Sequence, residues 1–234
     1  MKSKNINQNQ LDRFEKKWLI SNTTKDTICA AFYRSNFFFR DIYETRQVNT
    51  IYYDDSKLSS LRENIDGTYD KTKYRLRWYG DRENIRNPQF EIKIKKGYVT
   101  KKKVFELNIE SPVSFSQKNS EVLIEHIKNK IVRLNKSLYP ILSTHYYRDY
   151  FLSSNNKIRA TLDYNFRNSI LYGYQNVNFL KSNQNFIIEM KYSRDYDRYV
   201  KKNIEFISSR LSKSSKYFIS ALENSKIYGL WSLK

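Results

Sequence analysis

The segment Lys71–Tyr79 sets Lys71, Lys73, Arg75 and Arg77 on alternate positions and Tyr74, Leu76 and Trp78 between them. Successive side chains of a strand point to opposite faces, so this pattern describes a strand with one cationic face and one face suited to a core. The design recurs. Phe90–Lys95 sets Glu91, Lys93 and Lys95 against Phe90, Ile92 and Ile94, and Phe186–Tyr192 sets Glu189 and Lys191 against Phe186, Ile188, Met190 and Tyr192. Near the start, Arg13, Glu15 and Lys17 share a face, and Arg159, Thr161 and Asp163 oppose Ile158, Ala160 and Leu162. One such stripe is ordinary, because an antiparallel strand often turns a polar face to water. Repetition constrains the fold more: the opposite faces must together supply the core.

Further strands are expected at Val48–Asp54, around Lys101–Leu107 and at Thr144–Leu152, which carries Arg148, with a hairpin turn at Asn155-Asn156 because Asn tolerates left-handed backbone. The total is about eight strands, enough to close a barrel. Helical spacing of Val122, Leu123, Ile127, Ile131 and Leu134 predicts a helix over 120–137. Ile204, Ile207 and Leu211 suggest another over 195–222, and a weaker pattern covers 25–38.

Two architectures satisfy these faces: a sandwich with basic outer surfaces, or a barrel with a polar lumen. The amphipathic helices favour the barrel, since its apolar outer wall supplies the surface on which they bury their stripes. The predicted class is therefore α+β, an eight-stranded antiparallel β-barrel with helices packed outside. Arg and Lys gathered in one lumen repel each other, so the lumen calls for an anionic occupant. Phosphate suits a mixed set, because Arg offers a planar fork and Lys a compact charge. Carboxylates among the cations, Glu15, Glu91, Asp163 and Glu189, either hold the basic side chains in place or ligate a hard divalent ion such as Mg²⁺ or Mn²⁺. Glu189 is the preferred ligand, since it would otherwise oppose the charge of a bound phosphate.

Composition agrees. Lys and Arg number 43 against 24 Asp and Glu, a formal net charge of +19, which points to an acidic partner without choosing among nucleic acid, phosphate polymer and anionic membrane. With 20 Tyr, 14 Phe and 3 Trp, the chain is not a disordered basic tail. No Pro/Gly/Ser-rich linker divides it, so a single domain over 1–234 is expected, with a polar, flexible stretch at 1–10 that is neither a secretory signal nor an anchor. The single cysteine, Cys29, cannot form an internal disulfide, and a reducing, cytoplasmic setting follows. No apolar run approaches the ~18–20 residues a membrane helix needs, leaving recruitment by a membrane partner as the route to a bilayer.

Taken in order, the motifs resemble the VTC domain of polyphosphate polymerases, within the triphosphate tunnel metalloenzymes. Arg13-Phe-Glu-Lys-Lys-Trp18 resembles the family's first strand, Val48–Asp54 its "siYfD" strand, Lys73-x-Arg75-x-Arg77 its K-x-R-x-R strand and Phe90–Lys93 its "fEiK" strand. Arg148, directly after Tyr147 and two past Tyr146, fits the "Y-x-R" strand. Arg159-x-Thr161-Leu162-Asp163, Ile188–Lys191 and Ser215-Lys216-Tyr217 fit the strands and the "SKY" that follow. The resemblance implies an eight-stranded tunnel in which the γ-phosphate of ATP joins a polyphosphate chain with Mn²⁺ or Mg²⁺. It assigns Arg75, Arg77, Lys93, Arg148, Arg159 and Lys191 to the reacting phosphates, and Arg13, Lys17, Lys73, Lys103 and Lys216 to further phosphate contacts. Glu189 would be the metal ligand, with Lys216 closing the tunnel from a C-terminal helix. Where the hydrolase branch opens on an E-x-E-x-K strand, this chain has Arg13 at the first Glu, which favours the polymerase. A triphosphate hydrolase and a non-catalytic polyphosphate or RNA binder are the alternatives; RNA binding would need exposed aromatics, and the alternation puts the aromatics on the buried face.

Overall fold

The computed structural model describes residues 13–97, 99–107, 109, 113–114, 117–130, 137–171, 180–181, 185–207, 211–212 and 215–222. The expected flexible stretch at 1–10 lies outside them, as does the 131–136 end of the helix expected over 120–137. In chain order the elements are β1 (Arg13–Ile20), α1 (Lys25–Arg34), β2 (Arg40–Asp54), α2 (Ser59–Ile65), β3 (Lys71–Tyr79), the short β4 (Asn84–Ile85), β5 (Gln89–Lys96) and β6 (Val99–Glu106). The short β7 (Val113–Ser114), α3 (Gln117–Lys130), β8 (Tyr139–Leu152), β9 (Arg159–Ile170), the short β10 (Leu180–Lys181), β11 (Phe186–Ser193), α4 (Asp197–Asn203) and α5 (Lys216–Leu222) follow.

Eight strands follow one another in a curled antiparallel sheet in the order β1-β11-β9-β8-β2-β3-β5-β6, and the short β10 adds a ninth by pairing with β9. The expected eight-stranded antiparallel architecture is therefore present, as a sheet whose hydrogen-bonded path begins at β1 and ends at β6. Its curl carries Lys93 of β5 to within 3.7 Å of Glu15 on β1, across the concave side. That concave side is the lumen.

The alternating strands fold as their chemistry dictates. On the convex side, Trp18, Phe151, Leu162, Ile188 and Met190 form one buried cluster with Ile28 and Phe32 of α1 and Val200 of α4. Ile51, Tyr53, Leu76, Trp78 and Phe90 form a second with Leu123, Ile124 and Ile127 of α3. Two helices depart from the outer wall. Tyr52 and Leu142 point to the concave side, and there they pack with Leu58 and Leu61, at the start of α2, and with Tyr217 and Ala221 of α5. Tyr52 and Tyr217 stack with ring centroids 4.8 Å apart, and the Tyr217 hydroxyl donates to Asp54 at 2.9 Å. Asp54 also accepts from the backbone N–H groups of Ser60 and Leu61, so one carboxylate ties α2 and α5 over the same end of the lumen.

The helix expected over 195–222 is interrupted. After α4 the chain turns, and Leu211 forms a β-bridge with Trp18 while the Ser212 N–H donates to the Lys17 carbonyl at 2.7 Å. An edge strand offers unpaired backbone groups, and their demand for partners outweighs the weak helical spacing of Ile204, Ile207 and Leu211. The turn at Asn155-Asn156 is present, with Asn156 in left-handed backbone at φ 59° and its N–H donating to the Ser153 carbonyl.

Candidate functional site

Cross-strand register decides which side chains share the lumen. Arg75 pairs with Glu91 and Lys73 with Lys93; Lys17 pairs with Glu189 and Glu15 with Lys191; Arg148 pairs with Asp163. These positions alternate with the buried apolar residues of the outer wall, so they line the concave face.

Three carboxylate nodes organise the cations. At the first, the Lys17 ammonium lies 2.5 Å from Glu15 and 3.2 Å from Glu189, Lys191 lies 2.5 Å from Glu189, and Lys93 reaches Glu15. Burial by itself would raise the pKa of Glu189, yet Lys17 and Lys191, with Arg148 and Lys216 behind them, hold it well below the usual carboxylate range. Glu15 is held at about 2: burial and Glu189 raise it, but Lys93, Lys17 and Lys191 prevail. At the second node, Glu91 receives Arg75 at 2.5 Å, Lys102 at 2.7 Å and Arg77 at 3.8 Å, and its pKa falls to about 2 against the opposing effect of burial. At the third, Arg148 forms a fork on Asp163 through Nε at 2.5 Å and Nη2 at 2.7 Å, and Lys216 of α5 approaches the same carboxylate at 2.5 Å.

The cations are only partly neutralised. Lys73 sits half-buried opposite Lys93, and burial together with the charges of Lys93, Lys17, Lys71 and Arg75 lowers its pKa to about 7. Lys93 and Lys102 are lowered for the same leading reason, desolvation. On the lumen side, five buried polar atoms of the described residues also lack a hydrogen-bond partner: Thr50 Oγ1, Thr144 Oγ1, Arg77 Nε, Tyr146 OH and Thr161 Oγ1. All belong to lumen-facing positions, since Thr50 pairs with Arg77 and Thr144, and Thr161 with Glu189. Buried polar atoms are rarely left unsatisfied, so a cluster of them on a cationic surface asks for a ligand rich in oxygen. Tyr146 completes this group. Its phenol is fully buried, which alone would raise its pKa, but Arg148, Arg77 and Lys216 pull it down.

The predicted site residues distribute unevenly. Arg75, Arg77, Lys93, Arg148, Lys17, Lys73, Lys191, Lys216 and Glu189 are brought together, whereas Arg13 and Arg159 share the lumen face but lie at its exposed end, opposite Ser193 and Lys191. Lys103 is a correction. It opposes Ile92, on the outer face, and is exposed, while Lys102 takes the lumen position and binds Glu91. The run Lys101-Lys102-Lys103 carries no alternation, and Phe105, which packs on the second core cluster, fixes the parity. Sequence reasoning also missed Tyr146 and the three threonines, although the spacing Tyr146-x-Arg148 puts that pair on one strand face. The aromatics are not all buried either: Tyr43, Tyr79 and Tyr147 are 54%, 42% and 41% exposed.

For a divalent metal the donor chemistry fits in part. Glu189 and Glu15 supply hard oxygens around one lysine, but no group of three or more metal-binding side chains occurs among the described residues, so phosphate oxygens would have to complete the shell. A separate open depression of about 840 Å³ lies between α1 and β2, lined by Asp26, Asp41, Glu44 and Asp149 with Lys25; its sign is wrong for phosphate. Among the described residues no helix is long and apolar enough to cross a membrane.

Comparison with solved structures places the fold. The PH1819 protein from Pyrococcus horikoshii OT3 superposes with a TM-score of 0.51 at 11% identity, covering 91% of this chain and 99% of the other. A Vibrio parahaemolyticus protein named for a proposed adenylate cyclase activity gives 0.50 at 12% identity, covering 90% and 98%. No curated protein matches the chain in sequence. The match that identifies it is to a family: residues 4–222 fit the VTC domain. That match spans nearly the whole chain, and the chain belongs to the VTC domain family.

Proposed function

We propose that this protein is a polyphosphate polymerase, a phosphotransferase that moves the γ-phosphoryl group of ATP onto the end of a polyphosphate chain held in the lumen, in a cytoplasmic setting. The observation that carries this reading is the coincidence, on one concave face, of incompletely neutralised cations with five unsatisfied buried polar atoms. A chain of phosphates offers many oxygens and spread negative charge, which matches both deficits. Phosphoryl transfer needs mainly alignment and charge neutralisation, and an array of fixed Arg and Lys supplies these without a nucleophilic side chain. A terminal oxygen of the acceptor chain attacks the γ-phosphorus, the bond to the β-phosphate oxygen breaks, and ADP leaves. Arg75, Arg77, Arg148 and Lys93 are assigned to the phosphates in transfer, with Arg159 and Lys191 nearer the exposed end; Arg13, Lys17, Lys73 and Lys216 grip the rest of the chain. Glu189, with Glu15 beside it, would hold Mn²⁺ or Mg²⁺, which supplies charge neutralisation shared with phosphate oxygens.

Incubation of the protein with ATP and Mn²⁺ or Mg²⁺, followed by a gel stained for long phosphate chains, tests the reading. Metal-dependent chains with matching ADP release are expected. Orthophosphate without chains would make the protein a hydrolase of the same lumen, and binding of tripolyphosphate without turnover would make it a binding module.

A further inference from the structure

At the rim where β2, β3 and β8 leave the lumen, Arg46 is surrounded by tyrosines. Its guanidinium carbon lies 4.7 Å from the Tyr43 ring centroid, 5.6 Å from Tyr150 and 5.8 Å from Tyr79. Tyr43 and Tyr150 meet edge to face with centroids 5.5 Å apart. A break in register makes the cluster. Tyr43 pairs with Tyr150 and Arg46 with Arg148, so three steps along β2 match two along β8. Without that bulge a three-residue spacing would put Tyr43 and Arg46 on opposite faces; with it they share one.

The arrangement differs from the rest of the lumen. Arg75 and Arg148 are held by carboxylates, whereas the partners of Arg46 among the described residues are rings. Tyr43 and Tyr79 leave about half of their surface to solvent, so their rings are open to a ligand at the rim. The cluster is also continuous with the phosphate site. The Arg148 guanidinium lies 6.0 Å from the same Tyr150 ring and 5.4 Å from Tyr146, which stands among Arg77, Arg148 and Lys216. A ligand whose phosphates meet Arg77 and Arg148 would therefore carry its other end toward Tyr150, Tyr79 and Arg46.

We propose that Arg46, Tyr43, Tyr79 and Tyr150 form a stacking platform for the base of a nucleoside triphosphate, the element that lets the lumen prefer a nucleotide over inorganic triphosphate. This rests on the phosphate-binding reading of the lumen given above. Flat aromatic faces and a guanidinium plane stack on any nucleobase, because each base offers a π-face, and neither demands a particular hydrogen-bond pattern. A phosphate chain leaving at this rim would meet one cation without a carboxylate partner among the described residues, Arg46, and would draw little from three phenol rings.

The test compares ATP with tripolyphosphate, by calorimetry at equal Mg²⁺, on the wild type and on a Tyr43→Leu/Tyr79→Leu double variant. Both sites are exposed, and circular dichroism checks the fold. Loss of stacking on one base is worth about 5- to 150-fold in affinity, so ATP binding should fall within that range while tripolyphosphate binding stays within twofold. An equal loss for both ligands would make the rim a phosphate contact and overturn the platform; unchanged ATP binding would overturn it as well. Wild-type protein that binds neither ligand would sink the lumen reading itself, and the platform with it. Tripolyphosphate binding that holds while the variants leave ATP unaffected sinks the platform alone.

Discussion

The ammonium of Lys216, carried by the short α5, lies 2.5 Å from the fully buried carboxylate of Asp163 on β9, which Arg148 already holds through a two-point fork. Two cations on one acid leave this node positive. Asp163 is therefore the counterion of both cations in this structure, and it anchors α5 to the sheet. Replacing it with Asn strands two charges in a desolvated site, a change that typically costs ~3–5 kcal/mol. Asp163→Asn should lower the thermal midpoint of the empty protein, and tripolyphosphate should raise the midpoint more in the variant than in the wild type, because the ligand restores the missing charge. Equal ligand-induced shifts would count against Arg148 and Lys216 as phosphate contacts.

Glu189 is bracketed by Lys17 and Lys191 on the same face as Glu15. Glu189→Gln keeps the shape, removes the charge and leaves Lys17 with Glu15 as a partner. If Glu189 holds the metal, the variant should fold normally and lose most metal-dependent turnover, with the metal concentration for half-maximal activity shifted upward. Wild-type activity at limiting metal would refute the assignment.

How much of this was readable from the sequence depends on whether side-chain parity was. On β3, strict alternation of cation and apolar residue separated the Arg75 and Arg77 face from the Leu76 and Trp78 face without any tertiary knowledge. At Lys101-Lys102-Lys103 three identical side chains erase the parity, and only the packing of Phe105 shows that Lys102 faces inward. At Tyr43 and Arg46 the period of two misleads, since a bulge on β2 resets the register and no local residue signals it. The end of the chain was misjudged for a different reason. Helical spacing is a local property, while the demand of β1 for an edge partner at Leu211 and Ser212 is tertiary. The orphaned hydroxyls of Thr50, Thr144 and Thr161 were invisible for the same cause: whether a threonine is satisfied depends on what stands across the lumen.

Arg75 distinguishes a tunnel clamp from a diffuse basic surface. Its guanidinium meets Glu91 through both Nε and Nη2, which aims the remaining N–H groups into the lumen side of β3. Arg75→Lys keeps the net charge at +19 but loses the planar fork. Removing a preorganised donor to a developing charge costs ~10²–10³ in turnover, and the lysine exchange should fall toward the lower part of that range. Lys202→Gln, on the exposed side of α4, removes a whole charge that solvent screens, and turnover should barely change. If the two variants behave alike, the clamp is wrong and a general polyanion-binding surface is the better account.

Lys73 gives the lumen a pH signature. Burial and the neighbouring cations Lys93, Lys17, Lys71 and Arg75 lower its pKa from the ordinary 10.5 to about 7. Between those two values the unfolded chain carries a proton that the folded, empty lumen lacks, so stability rises with pH across the window and is flat below it. A bound phosphate chain reverses the balance, because its charge favours the ammonium form. Tripolyphosphate binding near pH 8.5 should therefore take up close to one proton, seen as a dependence of the calorimetric heat on the ionisation enthalpy of the buffer. Near pH 6 the lysine is already charged, and the uptake at this site should vanish. Lys73→Met should diminish the proton uptake at the higher pH while raising the stability of the empty protein at pH 7, since the mutual repulsion is relieved. Proton uptake that persists undiminished in Lys73→Met would assign the signature to another group, and a variant less stable than wild type at pH 7 would show that the Lys73 stem contributes more by packing than its charge costs.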